Sequence, residues 1–191
     1  MSFLLVYASH DGHTRKIMEK IARELEGHGH TAELQELATG AEPLPVVAGQ
    51  KIVVGAAIRY GRVLPVARKW IATNLDRLNQ LGVAAFTVCL TARKPEKSTP
   101  ETNLYYRKFI AKSGLKPTEN AVFAGALRYP EYSLFDRIMI QFIMHLTGGP
   151  TDPRASIEYT DWTQVKAFAA QLAAEHSESE TLATTKATHS G

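Results

Sequence analysis

Phe3-Leu-Leu-Val-Tyr-Ala-Ser-His-Asp-Gly-His-Thr-Arg15 is the stretch that decides the fold, because it leads from a buried strand through a polar turn into a helix. Residues 3–8 form an unbroken apolar run, which predicts a strand buried on both faces, as in a parallel sheet. From Arg15 to Gly29, apolar side chains recur at four-residue steps above a charged face. That spacing predicts an amphipathic helix.

The polar turn between this strand and this helix is Ser9–Thr14. At a helix N-terminus the backbone N–H groups point outward, and the helix dipole favours an anion. Ser9 and Thr14 add hydroxyl donors, and Gly12 lets the backbone curl close to a ligand. We interpret the turn as a phosphate cradle. The alternative is an ordinary loop in which Ser9 or Thr14 caps the helix.

Neither the glycine-rich dinucleotide fingerprint nor the P-loop motif occurs in the chain. Its 191 residues fit one domain with a proper core. The chain has 22 Lys and Arg against 19 Asp and Glu, a net charge of +3, which is too mildly basic for a dedicated nucleic-acid binder. The single cysteine, Cys89, excludes an internal disulfide and a thiolate metal cluster, and no metal site is expected.

The chain begins with no basic region before its apolar run, so we expect no signal peptide. No apolar stretch approaches the roughly 20 residues that a membrane span needs. Residues 177–191 have almost nothing to bury and are expected to be a disordered tail. The loop at 38–50 carries glycines and prolines.

Three further apolar runs and one loosely alternating stretch predict strands, and helical patterns alternate with them. This alternation predicts an α/β fold with a doubly wound, five-stranded, mostly parallel sheet over residues 1–176. In such sheets ligands bind at the carboxyl ends of the strands. In the order 2-1-3-4-5, the loops after the first, third and fourth strands meet at one edge. The further strands are expected at 31–37, 51–57, 83–90 and 120–127, and the further helices at 63–81, 101–113 and 160–176.

The segment at 128–154 does not fit the alternation and is expected to be an inserted helical element. Within it, Ser133–Thr147 has a wider apolar surface than a simple core-facing helix needs. One alternative is a well-buried extra helix at one end of the sheet. The others are a membrane-surface helix, a pocket for a lipidic quinone or an oligomer contact. From Thr91 to Arg154, 10 Lys and Arg stand against 6 Asp and Glu, an excess that suits anionic lipid head groups or carboxylate ligands.

Several motifs, taken together and in this order, resemble those of the bacterial menaquinone-dependent protoporphyrinogen oxidases, also called protoporphyrinogen IX dehydrogenases (quinone). The resemblance covers roughly residues 3–170, and the cradle Ser9-x-x-Gly12-x-Thr14 is similar to the FMN-phosphate loop of flavodoxins. The motifs are Gly55-Ala-Ala-Ile-Arg-Tyr-Gly61, Ala92-Arg-Lys-Pro-Glu-Lys97, Thr99-Pro-x-Thr-Asn103, Gly125-Ala-Leu-Arg-Tyr-Pro130, Gly148-Gly149 and Tyr159-Thr-Asp-Trp162.

The resemblance implies a flavodoxin-like fold and an FMN enzyme of haem biosynthesis. Such an enzyme oxidises protoporphyrinogen IX and passes the electrons to a membrane quinone, menaquinone or ubiquinone. It acts as a peripheral protein at the cytoplasmic face of the inner membrane. Assembly of this chain into a homo-oligomer is left as an open alternative. The residues assigned to cofactor binding lie in three loops. They are Ser9, His10, Asp11, Gly12, His13 and Thr14; Ala57, Ile58, Arg59, Tyr60 and Gly61; and Leu90, Thr91, Ala92 and Arg93.

By analogy with flavodoxins, Tyr60 is expected to stack on one face of the flavin ring, leaving the other face open to a planar substrate. The carboxylates of the substrate need cationic anchors near the carboxyl ends of the strands. The candidates are Arg59, Arg93, Lys94 and Arg128, and no histidine is assigned as a general base. The competing functions are a flavodoxin-type electron carrier and an NAD(P)H:quinone reductase. Carriers are usually strongly acidic, unlike this chain.

Overall fold

The computed structural model describes residues 2–38 and 49–174. Its centre is a sheet of five parallel strands in the order β2-β1-β3-β5-β6, and a two-residue strand, β4, pairs antiparallel with the end of β3. The predicted five-stranded parallel sheet and its order are therefore confirmed. The strands are β1 (Ser2–Ala8), β2 (Thr31–Glu36), β3 (Gln50–Arg59), β4 (Arg62–Val63), β5 (Val83–Cys89) and β6 (Asn120–Ala124).

Five α-helices are described, and four of them cover the two faces of the sheet. Successive residues of β1 alternate between the faces, so Phe3 and Leu5 pack with α1 and α5 while Leu4 and Val6 pack with α2 and α3. Because both faces are covered, the inner strands β1, β3 and β5 read as largely apolar runs, whereas the edge strand β2 is mostly exposed. The helices are α1 (His13–Gly27), α2 (Pro65–Leu81), α3 (Leu104–Ser113), α4 (Leu134–Leu146) and α5 (residues 162–174).

The predicted last strand, 120–127, is interrupted at Gly125. Beyond Gly125 the chain leaves the main sheet as β7 (Ala126–Arg128), which pairs antiparallel with β8 (Ser156–Glu158). This ribbon brings the two ends of the inserted segment together, and α4 lies between them. Short 3₁₀ turns occur at Leu90–Arg93, Pro95–Lys97 and Tyr129–Glu131.

The expected loop at 38–50 and the expected tail at 177–191 fall largely or wholly outside the described residues, which omit 39–48 and 175–191. The predicted last helix, 160–176, is described as far as residue 174 and begins after Asp161. The Asp161 carboxylate accepts hydrogen bonds from the N–H groups of Thr163 and Gln164, so Asp161 is the cap.

Candidate functional site

A crevice of about 410 Å³ opens at the carboxyl ends of β1, β3, β5 and β6. Its volume lies within the range of about 300–1,000 Å³ that is typical of small-molecule sites. The three predicted loops meet there, and most of the residues assigned to cofactor binding line it. These are Ser9, His10, Asp11, His13, Thr14, Ala57, Ile58, Arg59, Tyr60, Gly61, Leu90 and Thr91.

The loop at the start of α1 is open toward a ligand. Gly12 holds the N-cap position with φ 73°, and no side chain caps the helix, so the alternative in which Ser9 or Thr14 is the cap is wrong. Within the described residues, the N–H groups of residues 10–15 donate to no protein acceptor, and the first α1 backbone bond runs from Lys16 to Gly12. The Ser9 hydroxyl is buried and has no partner in the described part of the chain. These donors fit an anionic group such as a phosphate.

The side chain of His13 is held in one tautomer beside this loop. Its Nε2 lies 2.6 Å from the Thr160 hydroxyl, which itself donates to the backbone carbonyl of Ala124 at 2.7 Å. Thr160 has only one proton to give, so Nε2 of His13 must be the donor. Burial lowers the pKa of His13, and the Arg128 and Lys16 cations lower it further against the opposing effect of Glu158 and Asp11. His13 is therefore a neutral imidazole at neutral pH.

A network of charged groups joins the phosphate loop, the hairpin after β3 and α4. The Arg59 guanidinium lies 2.7 Å from the Asp136 carboxylate and 3.4 Å from that of Asp11. The Tyr60 hydroxyl also donates to the Asp136 carboxylate, and the N–H of Asp136 donates to the hydroxyl oxygen of Ser133, which caps α4. Hydrogen bonds from Tyr60, Arg59 and Ser133 hold the pKa of Asp136 well below its ordinary value.

Tyr60 lies at the rim of the crevice in a strained turn. It has φ 49° and Gly61 has φ 74°, as both central residues of a tight two-residue hairpin between β3 and β4 require. A side chain at Gly61 would also clash with the ring of Tyr105 at 2.9 Å. The Arg59 guanidinium covers the Tyr60 ring at 5.2 Å from its centroid. Stacking of Tyr60 on a flavin stays a prediction. A flavin there would share the Tyr60 ring with the Arg59 guanidinium.

The structure corrects three of the residue assignments. Arg93 points away from the crevice, because its guanidinium donates to the carbonyl of Leu90 at 2.9 Å and to the hydroxyl of Thr147 at 3.1 Å, where it supports the end of α4. Lys94 does not line the crevice. Ala92 is buried in the core beneath α2 and α3. Gly12 is not among the lining residues, but it shapes the loop that presents the N–H groups, so its assignment to cofactor binding stays a prediction.

Of the proposed anchors, Arg59 and Arg128 do line the crevice. Arg59 is already engaged by two carboxylates, and Arg128 lies 3.6 Å from the carboxylate of Glu131.

Sequence reasoning missed the roof of the crevice, which α4 provides. Met139, Ile140 and Ile143 line the crevice from above, and Tyr132 lines it beside them. The signal was present in the sequence as an apolar surface wider than one helix face, but nothing in that pattern indicated the partner of the second face. Gly125, Ala126, Val88, Cys89 and Tyr105 are the other lining residues that were not assigned.

The outer face of α4 is apolar and exposed, so the alternative of a well-buried helix is wrong. Five large side chains on this outer stripe each leave 57% to 72% of their surface exposed, whereas Ile140 and Met144 are the buried residues of the helix. No helix in the described ranges is long and apolar enough to cross a membrane. The exposed residues, called the outer stripe below, are Leu134, Phe135, Ile138, Phe142 and Leu146.

Comparison with known proteins agrees with this architecture. The profile of a flavodoxin domain matches residues 4–154. The chain is 42% identical over 173 residues to the protoporphyrinogen IX dehydrogenase (quinone) of Escherichia coli strain K12, covering 91% of this chain and 95% of that protein. It is 41% identical over 172 residues to the Leishmania major protein of the same name, covering 90% of this chain and 74% of that protein.

Solved structures show the same fold at low sequence identity. A flavodoxin from the domain Archaea superposes with a TM-score of 0.53 at 15% identity, covering 93% of this chain and 99% of that one. The rubredoxin oxygen:oxidoreductase of Desulfovibrio gigas superposes with a TM-score of 0.52 at 14% identity, covering 93% of this chain and 36% of that one. At these identities the likeness shows the fold alone.

Proposed function

We propose that this chain catalyses the flavin-dependent oxidation of protoporphyrinogen IX with a quinone as the electron acceptor. The chain belongs to the flavodoxin domain family and, within it, to the protoporphyrinogen IX dehydrogenase (quinone) group. The chain is an oxidoreductase, and haem biosynthesis is the pathway that this reaction serves. The relatives at 41% and 42% identity support the reaction. The flavodoxin domain supports the flavin.

The observation that carries the proposal is the open cradle at the start of α1. Its N–H groups have no protein acceptor in the described residues, Ser9 keeps an unpaired buried hydroxyl, and Gly12 leaves the space above it free. A phosphate at this position would satisfy several donors at once, which favours FMN over flavins that lack the phosphate. We therefore assign FMN as the cofactor.

When bound, the flavin supplies the redox chemistry, because its ring accepts hydrogen from the substrate and returns electrons to the quinone. The chain supplies the surroundings of that chemistry. The loops at Ala57–Ile58 and Leu90–Thr91 line the crevice with backbone groups for a ring edge. Met139, Ile140 and Ile143 of α4 form an apolar roof that excludes water from it.

A lipidic quinone resides in the bilayer, so the enzyme must meet the membrane to deliver its electrons. We assign this contact to the outer stripe of α4, and with it a peripheral location at the cytoplasmic face of the inner membrane. The stripe is too apolar for a surface that meets only water, and it lies on the helix whose inner face roofs the crevice. The basic excess between Thr91 and Arg154 favours anionic lipids.

The test is an anaerobic reduction of the purified yellow protein. Protoporphyrinogen IX should bleach the flavin absorbance, and menaquinone added afterwards should restore it. NADH and NADPH should leave the flavin oxidised over the same time. A flavin that NADH bleaches quickly but protoporphyrinogen does not would instead make the chain an NAD(P)H:quinone reductase. A flavin that neither reduces would leave an electron carrier.

A further inference from the structure

Beside the crevice lies a second depression, which is rich in arginine. This groove of about 480 Å³ shares Arg59 and Tyr60 with the rim of the crevice and continues along β4 to the start of α2. Its floor is apolar and its charged groups are all cationic. Besides the two shared residues, it is lined by Arg62, Val63, Leu64, Pro65 and Arg68.

The local fold explains why three guanidinium groups come together here. The tight turn at Tyr60–Gly61 places Arg62 directly opposite Arg59 in the antiparallel register of β3 and β4. The helix α2 begins two residues after β4, and Arg68 lies one turn into it, with its N–H bonded to the carbonyl of Leu64. The hairpin and the helix therefore present Arg62 and Arg68 to one groove.

The three arginines differ in how their charge is balanced. Arg59 is paired with Asp11 and Asp136. No carboxylate among the described residues lies within ion-pair distance of Arg62 or Arg68, and both side chains are exposed. Two guanidinium groups without a protein counter-ion, above an apolar floor, are suited to bind carboxylates, because arginine presents a planar set of donors that matches that group.

We propose that Arg62 and Arg68 hold the propionate carboxylates of the porphyrinogen substrate while its macrocycle extends toward the crevice past Tyr60. This inference rests on the proposed function. The propionates are the charged groups of an otherwise apolar ring and lie on neighbouring pyrroles, so a pair of adjacent cations on an apolar floor is complementary to them. The anchor role predicted for Arg93 and Lys94 passes to these two residues.

The experiment measures binding and not only turnover. The FMN-loaded protein is titrated with protoporphyrin IX and, separately, with its dimethyl ester, and binding is followed by the shift of the porphyrin absorbance. In Arg62→Gln/Arg68→Gln, the Kd for the free acid should rise about tenfold for each guanidinium removed. The ester should bind the variant and the wild type equally. The KM for protoporphyrinogen IX should rise in parallel, and FMN retention should not change.

Lys69→Gln is the matched control, because Lys69 is an exposed cation on the same turn of α2 that does not line the groove. It should leave the Kd for the free acid unchanged. An unchanged Kd in the double variant would overturn the proposal, and so would an equal loss for acid and ester. If the wild type binds protoporphyrin with this dependence but protoporphyrinogen does not bleach its flavin, the proposed reaction fails while the carboxylate site stands.

Discussion

Gly12 is the residue on which the cradle depends most directly. Its φ of 73° is accessible to glycine and costs a β-branched residue about 1–2 kcal/mol or more, although a side chain there would meet no atom within 4 Å. Gly12→Val with Thr14→Ala should therefore give a folded protein whose loop no longer presents its N–H groups together. We expect this variant to purify without its yellow colour, measured as flavin absorbance per mole of protein.

Gly29→Val is the matched control for the backbone strain. Gly29 has φ 83°, its side chain would also meet nothing within 4 Å, and it lies beyond the opposite end of α1. This variant should lose a similar amount of stability and keep its flavin. A Gly12→Val/Thr14→Ala protein that stays yellow would contradict the cradle.

His13 gives a prediction about pH. Burial lowers its pKa from 6.5, so between the lowered pKa and 6.5 the unfolded chain binds a proton that the folded protein does not bind. The free energy of unfolding should thus fall as the pH drops below about 6.5, by at most about 1.4 kcal/mol per pH unit, until the lowered pKa is reached. His13→Gln keeps an N–H donor for Thr160 but cannot be protonated, so this part of the pH dependence should disappear.

Urea unfolding of wild type and His13→Gln at several pH values between 7.5 and 5 measures this difference. The groups that face His13 are Glu158, Arg128, Lys16 and Asp11, and they are unchanged in the variant. Parallel curves for the two proteins would mean that His13 is not held neutral.

Side-chain direction is the part of the site that sequence predicted least well. The cradle residues were correctly placed because strand, turn and helix are adjacent in the chain. Arg93 follows a strand in the same way, but the 3₁₀ turn at Leu90–Arg93 directs it to Thr147, 54 residues away. The pairing of Arg59 with Asp136 is equally non-local, and no periodicity encodes it.

At the scale of elements, the strands were predictable and the orientation of α4 was not. A strand covered on both faces has a continuous apolar sequence that only one environment explains. The helix α4 has apolar residues on two faces, and its wider stripe is the exposed one. Hydrophobic spacing identifies such a stripe but cannot say whether protein or lipid covers it.

The outer stripe leads to a prediction for α4. Replacing Ile138, Phe142 and Leu146 by serine should release the protein from vesicles that contain anionic lipids, because a fully buried side chain of this size contributes about 1.5–3 kcal/mol. Since all three are exposed in the protein alone, the melting temperature should change little. Sedimentation with vesicles measures the first effect and circular dichroism the second.

Met144→Ser is the contrasting variant, because Met144 is fully buried between α4 and the body of the protein. It should lower the melting temperature, as the loss of a core side chain does. A triple serine variant that unfolds, or that still binds vesicles like the wild type, would show that the outer stripe does not meet lipid.

For the whole molecule, the crevice concentrates unsatisfied groups at one end of the sheet. Loops from β1, β3, β5 and β6 and the helix α4 converge there, while the remaining core is closed by helices on both faces. A ligand in the crevice therefore contacts several elements that are distant in sequence. Its binding free energy should add to the stability of the domain as a unit, because it binds the native state and not the unfolded chain.

The size of that stabilisation distinguishes FMN from riboflavin, which has the same ring and no phosphate. At a concentration 100 times its Kd, FMN should add about 2.7 kcal/mol and raise the melting temperature by roughly 5–10 °C for a domain of this size. At the same concentration riboflavin should add much less, because it has no phosphate to accept hydrogen bonds from the N–H groups of residues 10–15 and the Ser9 hydroxyl. These donors have no protein acceptor in the described structure. Thermal melts of flavin-free protein at increasing concentrations of each flavin measure the difference.

In the Gly12→Val/Thr14→Ala variant FMN should stabilise no more than riboflavin does, since both then depend on the ring alone. Equal shifts for the two flavins in the wild type would place the binding energy in the ring and contradict a phosphate site at the start of α1.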